Sequence, residues 1–549
     1  MGYRYYIVFA SITFVYGALV WNTYNLQVAK SEEFKAKADI QTASGLDLAA
    51  SRGVIYFTNR DGSKTAVAVN KSFPMIYAVP GEIEDILEAS HQLSVILDVP
   101  PEKLAERFSN KKSKFELLAK KATKDQLAAI KDINLKGVYV SESSARYYPS
   151  GSMASQVIGF VGKDSSGKID SGKYGAERQY DSKLAGVAGS VEGAKITRGQ
   201  SGEDVVLTID SNLQTEAQMI LEAAIKEHRA KAGNIIIQEP KTGKILAMAA
   251  YPSFDPNNYG KYDLADFQNP AVERLYEPGS VIKIFTMAAA MDAGSVSPDT
   301  KFNDPGVLSV SGKKIYNWDK KSHGLVAMTE VIEQSLNTGT AFAQRKLGNS
   351  KFLEYFKKFG FNEKTGVDLP GEVSANMKHL SKKDAPEIAF ATASFGQGIS
   401  MTPLHVINAA SAIANKGVLM RPYTNSASNP KEEGRVVSEN AALLITDMMV
   451  SAVDKAGKAG VSGFSVAGKT GTAQVPNLER GGYYEDKVIN TYVGFAPAKN
   501  PRFTALVRLV DPEGAPLAGT TVVPVFQKLA SYVLNYYQVT PDRTENSNN

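Results

Sequence analysis

From Tyr5 to Ala29 no residue carries a charge, and YYIVFASITFVYGALVW within that stretch is strongly apolar. A helix needs about 20 apolar residues to cross the hydrocarbon core of a bilayer, so this segment is expected to be one membrane-spanning helix. Tyr3, Tyr5 and Tyr6 at one end and Trp21 and Tyr24 at the other suit the two membrane interfaces. A cleaved signal peptide is the alternative, but no clear small-x-small site follows the apolar core. Arg4 and the amino terminus favour a short cytoplasmic tail, although Lys30, Lys35 and Lys37 weaken the charge asymmetry. The large remainder is therefore expected to face outward from a single-pass anchor in the cell membrane.

At 549 residues, 43% hydrophobic and 22% charged, the chain has the composition of an ordinary globular protein with two to four domains. A formal charge of +5 over this length is mild and offers no stripe for a nucleic acid. There is no cysteine, which excludes a thiol nucleophile, a cysteine zinc site and disulfides, and suits folding outside the cytoplasm. His91, His228, His323, His379 and His405 are scattered singly, without metal-ligand spacing or a triad partner, so no metal and no cofactor are expected.

SRGVIYFTNRDGSKTAVAV alternates apolar and polar residues around Asp61-Gly62 and reads as a β-hairpin. From about Glu82 to Ile130 the spacing is helical, as in EDILEASHQLSVIL and KFELLAKKA. After a Gly-rich stretch, GEDVVLTIDSNLQTEAQMILEAAI reads as a short strand leading into an amphipathic helix capped near Asp210 or Ser211. The main domain boundary is expected near Thr197. Two apolar strands, GNIIIQ and KILAMAA, flank the turn EPKTG, and the tail TENSNN is expected to be disordered.

The stretch YEPGSVIKIFTMAAAMDAG, Tyr276 to Gly294, reads as a buried helix with Lys283 inside it. Burying an unpaired ammonium is costly unless it is neutralised or partnered. Ser280 lies three residues earlier, on the same helical face. The ordinary account is a capping serine and a lysine that snorkels to water. Ser-x-x-Lys also occurs at Ser109/Lys112, Ser165/Lys168, Ser311/Lys314 and Ser428/Lys431, all in polar or Gly-rich stretches. Only Ser280/Lys283 begins an apolar helix, where the helix dipole and a buried amine could together activate a hydroxyl. Ser-x-Asn occurs at Ser335-Leu336-Asn337, Ser374-Ala375-Asn376 and Ser438-Glu439-Asn440, the first on a short connection beside a helix. Lys-Thr-Gly occurs at Lys241 in a hairpin turn, at Lys364 in a loop and at Lys469 in FSVAGKTGTAQV, where it reads as a strand edge. GFSVAGKT, Gly463 to Thr470, also satisfies the phosphate-loop pattern, and ALVRLVD ending at Asp511 could pass as its partner strand. Against this ATPase reading, Phe, Ser, Val and Ala favour a strand, and TGTAQVPNLERGG is no helix start.

In chain order, Ser280-x-x-Lys283, Ser335-x-Asn337 and Lys469-Thr470-Gly471-Thr472 resemble the three-motif signature of penicillin-binding proteins and serine β-lactamases. YPSFDPNNY before EPGSVIK, FGQGISMTPLH, ANKGVLMRPY and AGKTGTAQV resemble the transpeptidase domain of class B penicillin-binding proteins. SRGVIYFTNRDG and RYYPSGSMASQVIGFVG resemble that family's pedestal domain. The likeness covers nearly the whole chain and leaves no segment for a glycosyltransferase domain. EPGS and the layout lean toward the division type, FtsI-like, over the elongation type.

The resemblance implies an α/β (α+β) fold: one N-terminal transmembrane helix, an elongated mixed α/β pedestal, and a serine penicillin-recognising domain with an antiparallel sheet flanked by helices. The implied layout is anchor 1–26, pedestal of dimerisation type 27–196, transpeptidase domain 197–537 and disordered tail 538–549. It also implies acyl transfer on peptidoglycan stem peptides ending in D-Ala-D-Ala, with β-lactams as covalent inhibitors. Ser280 would be the nucleophile, Lys283 the proton acceptor, Ser335 a relay to the leaving amine, and Asn337 a partner of both Lys283 and the substrate backbone. Lys469 and Thr470 would hold the substrate carboxylate, Gly471 would let the substrate lie against the strand, and the N–H groups of Ser280 and Thr472 would form an oxyanion hole. A polytopic glycosyltransferase of the SEDS type and division proteins are the implied partners. A serine β-lactamase, a β-lactam sensor and a non-catalytic division scaffold are the competing readings. The first needs a positioned deacylating base, the second cytoplasmic signalling segments, and the third no intact motifs.

Overall fold

The computed structural model describes residues 2–31, 50–164, 170–192, 195–477, 480–514 and 516–543. The polar connector after the apolar segment, the Ser165/Lys168 pair and the TENSNN tail lie outside the described residues. By contacts the chain divides into Met1–Val54 with Asp181–Asp204, and Ile55–Tyr180 with Val205–Asn549. The expected boundary at Thr197 falls inside the first of these units.

In the first unit, helix α1 (Gly2–Tyr24) runs on as a wider π-helical turn through Ala29, and none of its residues is buried. These 28 residues are long and apolar enough, at a mean hydropathy of 1.4, to cross a membrane. The hydroxyls of Ser11 and Thr13 donate to carbonyl oxygens one turn back, at 2.9 Å each, so the helix satisfies its own polar side chains. Elsewhere in this unit Arg52 pairs with Asp181 at 2.7 Å, and the Gly53 N–H donates to the Leu184 carbonyl at 2.8 Å.

The second unit begins with the expected hairpin, β1 (Ile55–Thr58) and β2 (Lys64–Ala78), paired antiparallel. Helix α2 (Ile86–Leu97) starts where Asp85 accepts from the Glu88 N–H at 3.1 Å. KFELLAKKA is not helical. Its centre forms β3 (Glu116–Ala119), which pairs with β2 through Ile76↔Ala119 and Tyr77↔Leu117. Phe115 stacks on Tyr77 at 5.1 Å and Leu118 is buried, so strand pairing overrides the local helical spacing. The neighbouring capping box at Thr123 already starts the next helix at Lys124 and leaves no room for one before it. Strand β4 (Val138–Tyr147) pairs with β2 from Val69↔Tyr147 to Ala78↔Val138. Strand β5 (Val205–Leu207) joins the same sheet parallel to β1.

Asp210 then caps α3 (Ser211–His228), accepting from the N–H groups of Asn212 and Leu213 at 2.9 and 3.1 Å. Strands β6 (Ala232–Gln238) and β7 (Ile245–Tyr251) follow as the expected hairpin. Helices α4 (Lys283–Asp292), α5 (Met328–Glu333), α6 (Asn337–Leu347) and α7 (Pro403–Ala414) come next. Strands β8 (Ala467–Pro476), β9 (Tyr483–Ala496) and β10 (Phe503–Val510) complete an antiparallel sheet in the order β7-β6-β10-β9-β8. Helix α8 (Val522–Tyr536) closes the fold. One face of the sheet, with Ile235, Val507 and Tyr492, packs on Leu213 and Leu221 of α3 and Phe526 and Leu529 of α8. The other face carries Gln238, which meets Asn408 and Ser411 of α7 at 2.8 and 3.0 Å. Strand β8 lies at the edge of the sheet.

Residues 538–543, expected to belong to the disordered tail, are held against the domain. The Ser465 N–H donates to Asp542 at 2.7 Å, and Arg543 forms a two-bonded pair with Asp454 at 2.8 and 2.9 Å.

Candidate active site

Pro278 leads into one tight turn, Gly279–Ile282, that feeds directly into α4. Every residue from Lys283 to Met291 is buried, while Ser280 on the turn remains partly exposed. The edge strand β8 runs against this turn. A Cβ on Gly471 would sit 2.9 Å from the Pro278 carbonyl oxygen and 3.0 Å from Val281, so only glycine allows the strand this close to Ser280.

The second element is the break between α5 and α6. Ser335 adopts a left-handed backbone with φ of 57°, a strain of about 1–3 kcal/mol for a residue with a Cβ. This conformation brings its carbonyl and hydroxyl to bear on Lys283. The start of α6 is pinned from below, where the buried Thr338 hydroxyl donates to Asp304 at 2.6 Å and Asn317 donates to the same carboxylate at 2.8 Å.

Lys469 arrives through strand register. It lies opposite Val493, which lies opposite Leu506, which lies opposite Ile236, so it projects from the sheet face that bears Gln238 and α7. The three elements meet at Ser335. Lys283 Nζ donates to the Ser335 carbonyl at 2.5 Å and to its Oγ at 3.2 Å. Lys469 Nζ donates to the same Oγ at 2.9 Å and to the Thr470 carbonyl at 3.1 Å. Lys283 is fully buried and Lys469 is 4% exposed, with no carboxylate paired to either among the described residues. Burial pushes the Lys469 amine down to about 7. Burial first, and then the Lys469 charge, push Lys283 well below the ordinary lysine value. Two amines whose charged forms are disfavoured by burial thus share one hydroxyl, a group suited to moving protons to and from a serine one turn away.

The penicillin binding protein transpeptidase domain family matches residues 233–531, and the penicillin-binding protein dimerisation domain family matches residues 47–210. The chain belongs to the class B penicillin-binding proteins. It is 34% identical over 532 residues to stage V sporulation protein D of Bacillus subtilis, covering 91% of this chain and 80% of that one. To the peptidoglycan D,D-transpeptidase FtsI of Escherichia coli it is 29% identical over 557 residues, covering 97% and 91%. The crystal structure of penicillin binding protein 3 from Mycobacterium tuberculosis, complexed with aztreonam, matches with a TM-score of 0.69 at 28% identity, covering 90% of this chain and 98% of that one.

In this penicillin-binding protein Lys283, Ser335 and Lys469 converge, Ser280 stands three residues before Lys283, and Thr470, Gly471 and Thr472 continue along β8 beside the Ser280 turn. Thr472 Oγ1 accepts from the Ala518 N–H at 3.1 Å, which ties that strand to the segment before α8. Asn337 differs from expectation in its bonding. Its side-chain amide donates to the Tyr316 carbonyl at 2.8 Å and not to Lys283, because the first residue of α6 is turned toward the neighbouring hairpin. The other sequence matches are ordinary structure. Ser438 caps a helix by accepting from the Ala441 N–H at 3.2 Å, Thr365 binds Glu372 at 2.5 Å, and Ser311 sits in a hairpin turn. The phosphate-loop reading fails, because Gly468, Lys469 and Thr470 lie within a strand and no helix follows them.

Glu277, three residues before Ser280, was not among the sequence candidates. It accepts from the Tyr483 hydroxyl at 2.9 Å and from the Gly398 N–H at 3.1 Å, and burial pushes its carboxyl upward. It joins the start of β9 and the FGQG loop to the segment that carries Ser280. The only sequence signal was its place inside EPGS, next to a motif that drew attention for its serine.

Proposed function

We propose that this penicillin-binding protein is a serine D,D-transpeptidase that cross-links peptidoglycan stem peptides at the division septum. The observation that carries the reading is the Ser335 hydroxyl held by two buried amines, with Ser280 one turn before the first of them. Ser280 Oγ attacks the penultimate D-Ala carbonyl and its proton passes to the Lys283 amine, whose charged form burial disfavours. The N–H groups of Ser280 and Thr472 hold the oxyanion, each worth about 3 kcal/mol in such sites. Ser335 passes a proton to the departing D-Ala nitrogen, while Lys469 and Thr470 bind the terminal carboxylate. The amine of a neighbouring stem then attacks the ester, restores Ser280 and forms the cross-link. As an edge strand, β8 can take the donor peptide as an added strand.

In the same reading residues 1–26 anchor the chain, 27–196 form the pedestal and 197–537 the catalytic domain, which faces outward from the cell membrane. The anchor and pedestal contact a SEDS-type glycosyltransferase that supplies the glycan strand. The test uses the full chain in detergent with a fluorescent penicillin. A stable adduct should form, with the added mass on the peptide containing Ser280, and Ser280→Ala should abolish it. Absence of labelling by several classes of β-lactam would overturn the proposal. Hydrolysis of the ester within seconds would favour a β-lactamase.

A further inference from the structure

Arg508 presents a charge that the acyl-transfer site does not use. It lies on β10 in register with Asn234 of β6 and with Thr491 of β9, which in turn faces Gly471 of β8, so it shares the sheet face that supports the Ser280 segment. Arg508 is only 6% exposed, and no carboxylate pairs with it among the described residues. A guanidinium has five N–H donors. Here Nη1 reaches the Asn234 side chain at a long 3.3 Å, and the buried Nε has no acceptor. The ring of Tyr276 covers the guanidinium at 4.5 Å, which offsets part of the burial cost but accepts no in-plane bond. Burial lowers the Arg508 pKa to about 10, and Arg274 adds to the push, so the group is still a cation at neutral pH. A buried, under-bonded cation beside a second cation is costly unless an anion joins them.

The space for one is present. Arg508 and Arg274 both line a cavity of about 350 Å3 at the end of the sheet, walled by Tyr251, Pro252, Gln268 and Pro270. Lys231 on its rim is already paired with Asp511 at 2.6 Å, and the one carboxylate on its wall, Asp266, pairs with neither arginine. We propose that Arg508 and Arg274 bind a carboxylate-bearing organic ligand in this cavity, behind the segment that carries Ser280. A planar guanidinium fork matches a carboxylate, and the tyrosine and proline walls suit an organic body attached to it. Tyr276 links the two places. It exchanges two backbone hydrogen bonds of 3.0 Å with Met401, lies over Arg508 and stands four residues before Ser280.

The test is a thermal-shift titration of the full-length protein in detergent with glutarate, inorganic phosphate or sodium chloride at matched ionic strength. Glutarate should raise Tm saturably, and Arg274→Gln, at an exposed position, should weaken its binding about tenfold or more, as expected for losing one charged pair. The labelling rate by a fluorescent penicillin should change at saturating glutarate in the wild type and not in the variant. No saturable shift, a shift reproduced by chloride, or unchanged affinity in the variant would overturn the site. Tighter binding of phosphate would overturn the carboxylate assignment, and an unchanged labelling rate would overturn the link to Ser280. The Tm readout does not depend on acyl transfer, so failure of this site and failure of the transpeptidase reading are separable.

Discussion

Lys241-Thr242-Gly243 crosses the turn between β6 and β7, where Lys241 is exposed and its ammonium reaches out to the Asn500 side chain at 2.8 Å. Lys469-Thr470-Gly471 lies in an edge strand, and its amine is buried against Ser335. The two tripeptides are identical in composition and order, so only their flanking residues and their place in the fold distinguish them. The turn leaves the first lysine exposed to water. Strand register turns the second lysine inward, and desolvation brings its pKa down to about 7. The glycines differ as well. Gly243 is required both by its own backbone, at φ of 86°, and by the Arg421 carbonyl oxygen, 2.3 Å from where a Cβ would sit, whereas Gly471 has no left-handed φ and is required only by the Ser280 turn that packs against it.

Exchanging these roles by mutation is the direct way to break the comparison. Lys469→Ala should lower the rate of acylation by a β-lactam by about 100-fold or more, the scale of losing a charged group that stabilises the transition state. Stopped-flow labelling measures it, and a loss below tenfold would place the functional lysine elsewhere. Gly471→Ala should cost about tenfold in the same assay, because its Cβ would push the strand off the Ser280 turn and misplace the reacting groups. Gly243→Ala should instead destabilise the fold by about 1–3 kcal/mol and leave acylation per folded molecule unchanged.

The pH dependence of stability sharpens the same contrast. Between about 7 and the ordinary lysine value of 10.5 the unfolded chain keeps the Lys469 proton that the folded protein has released. Unfolding therefore takes up a proton in that window, and the free energy of unfolding rises with pH by up to about 1.4 kcal/mol per unit from this residue alone. Denaturant titrations of Lys469→Met should show a shallower rise than wild type, with Lys283 still contributing in the same direction. The smallest effect belongs to the turn. Lys241→Ala should leave both acylation and the pH slope within error, and a clear change in either would show that exposure does not separate the two lysines.

Local chemistry explains which elements were legible. The Asp61-Gly62 turn, the Asp210 cap and the apolar runs of β6 and β7 carry their instructions within a few residues, and each formed where its residues predict. KFELLAKKA did not, because its helical spacing is short and the pairing partner β2 lies about 40 residues earlier in the chain. The tail 538–543 was misread for a similar reason: its polar residues are satisfied by Ser465 and Asp454, which composition cannot reveal. At the site, the residue types were readable from motif order, but Glu277 and the Asn337–Tyr316 bond were not.

The sequence by itself determined the apolar anchor, the chain order of the three motifs and the choice among five Ser-x-x-Lys matches, since only Ser280/Lys283 opens an apolar helix. Those are properties of neighbouring residues and of the hydrophobic pattern. Tertiary structure decided how Lys469 and Lys283 meet at Ser335, how far each amine is stripped of water and which acceptor the Asn337 amide serves. These depend on strand register, on the left-handed turn at Ser335 and on packing between segments remote in the chain. A pKa follows the dielectric and charges around a group, and those surroundings exist only once the sheet and helices have closed over it.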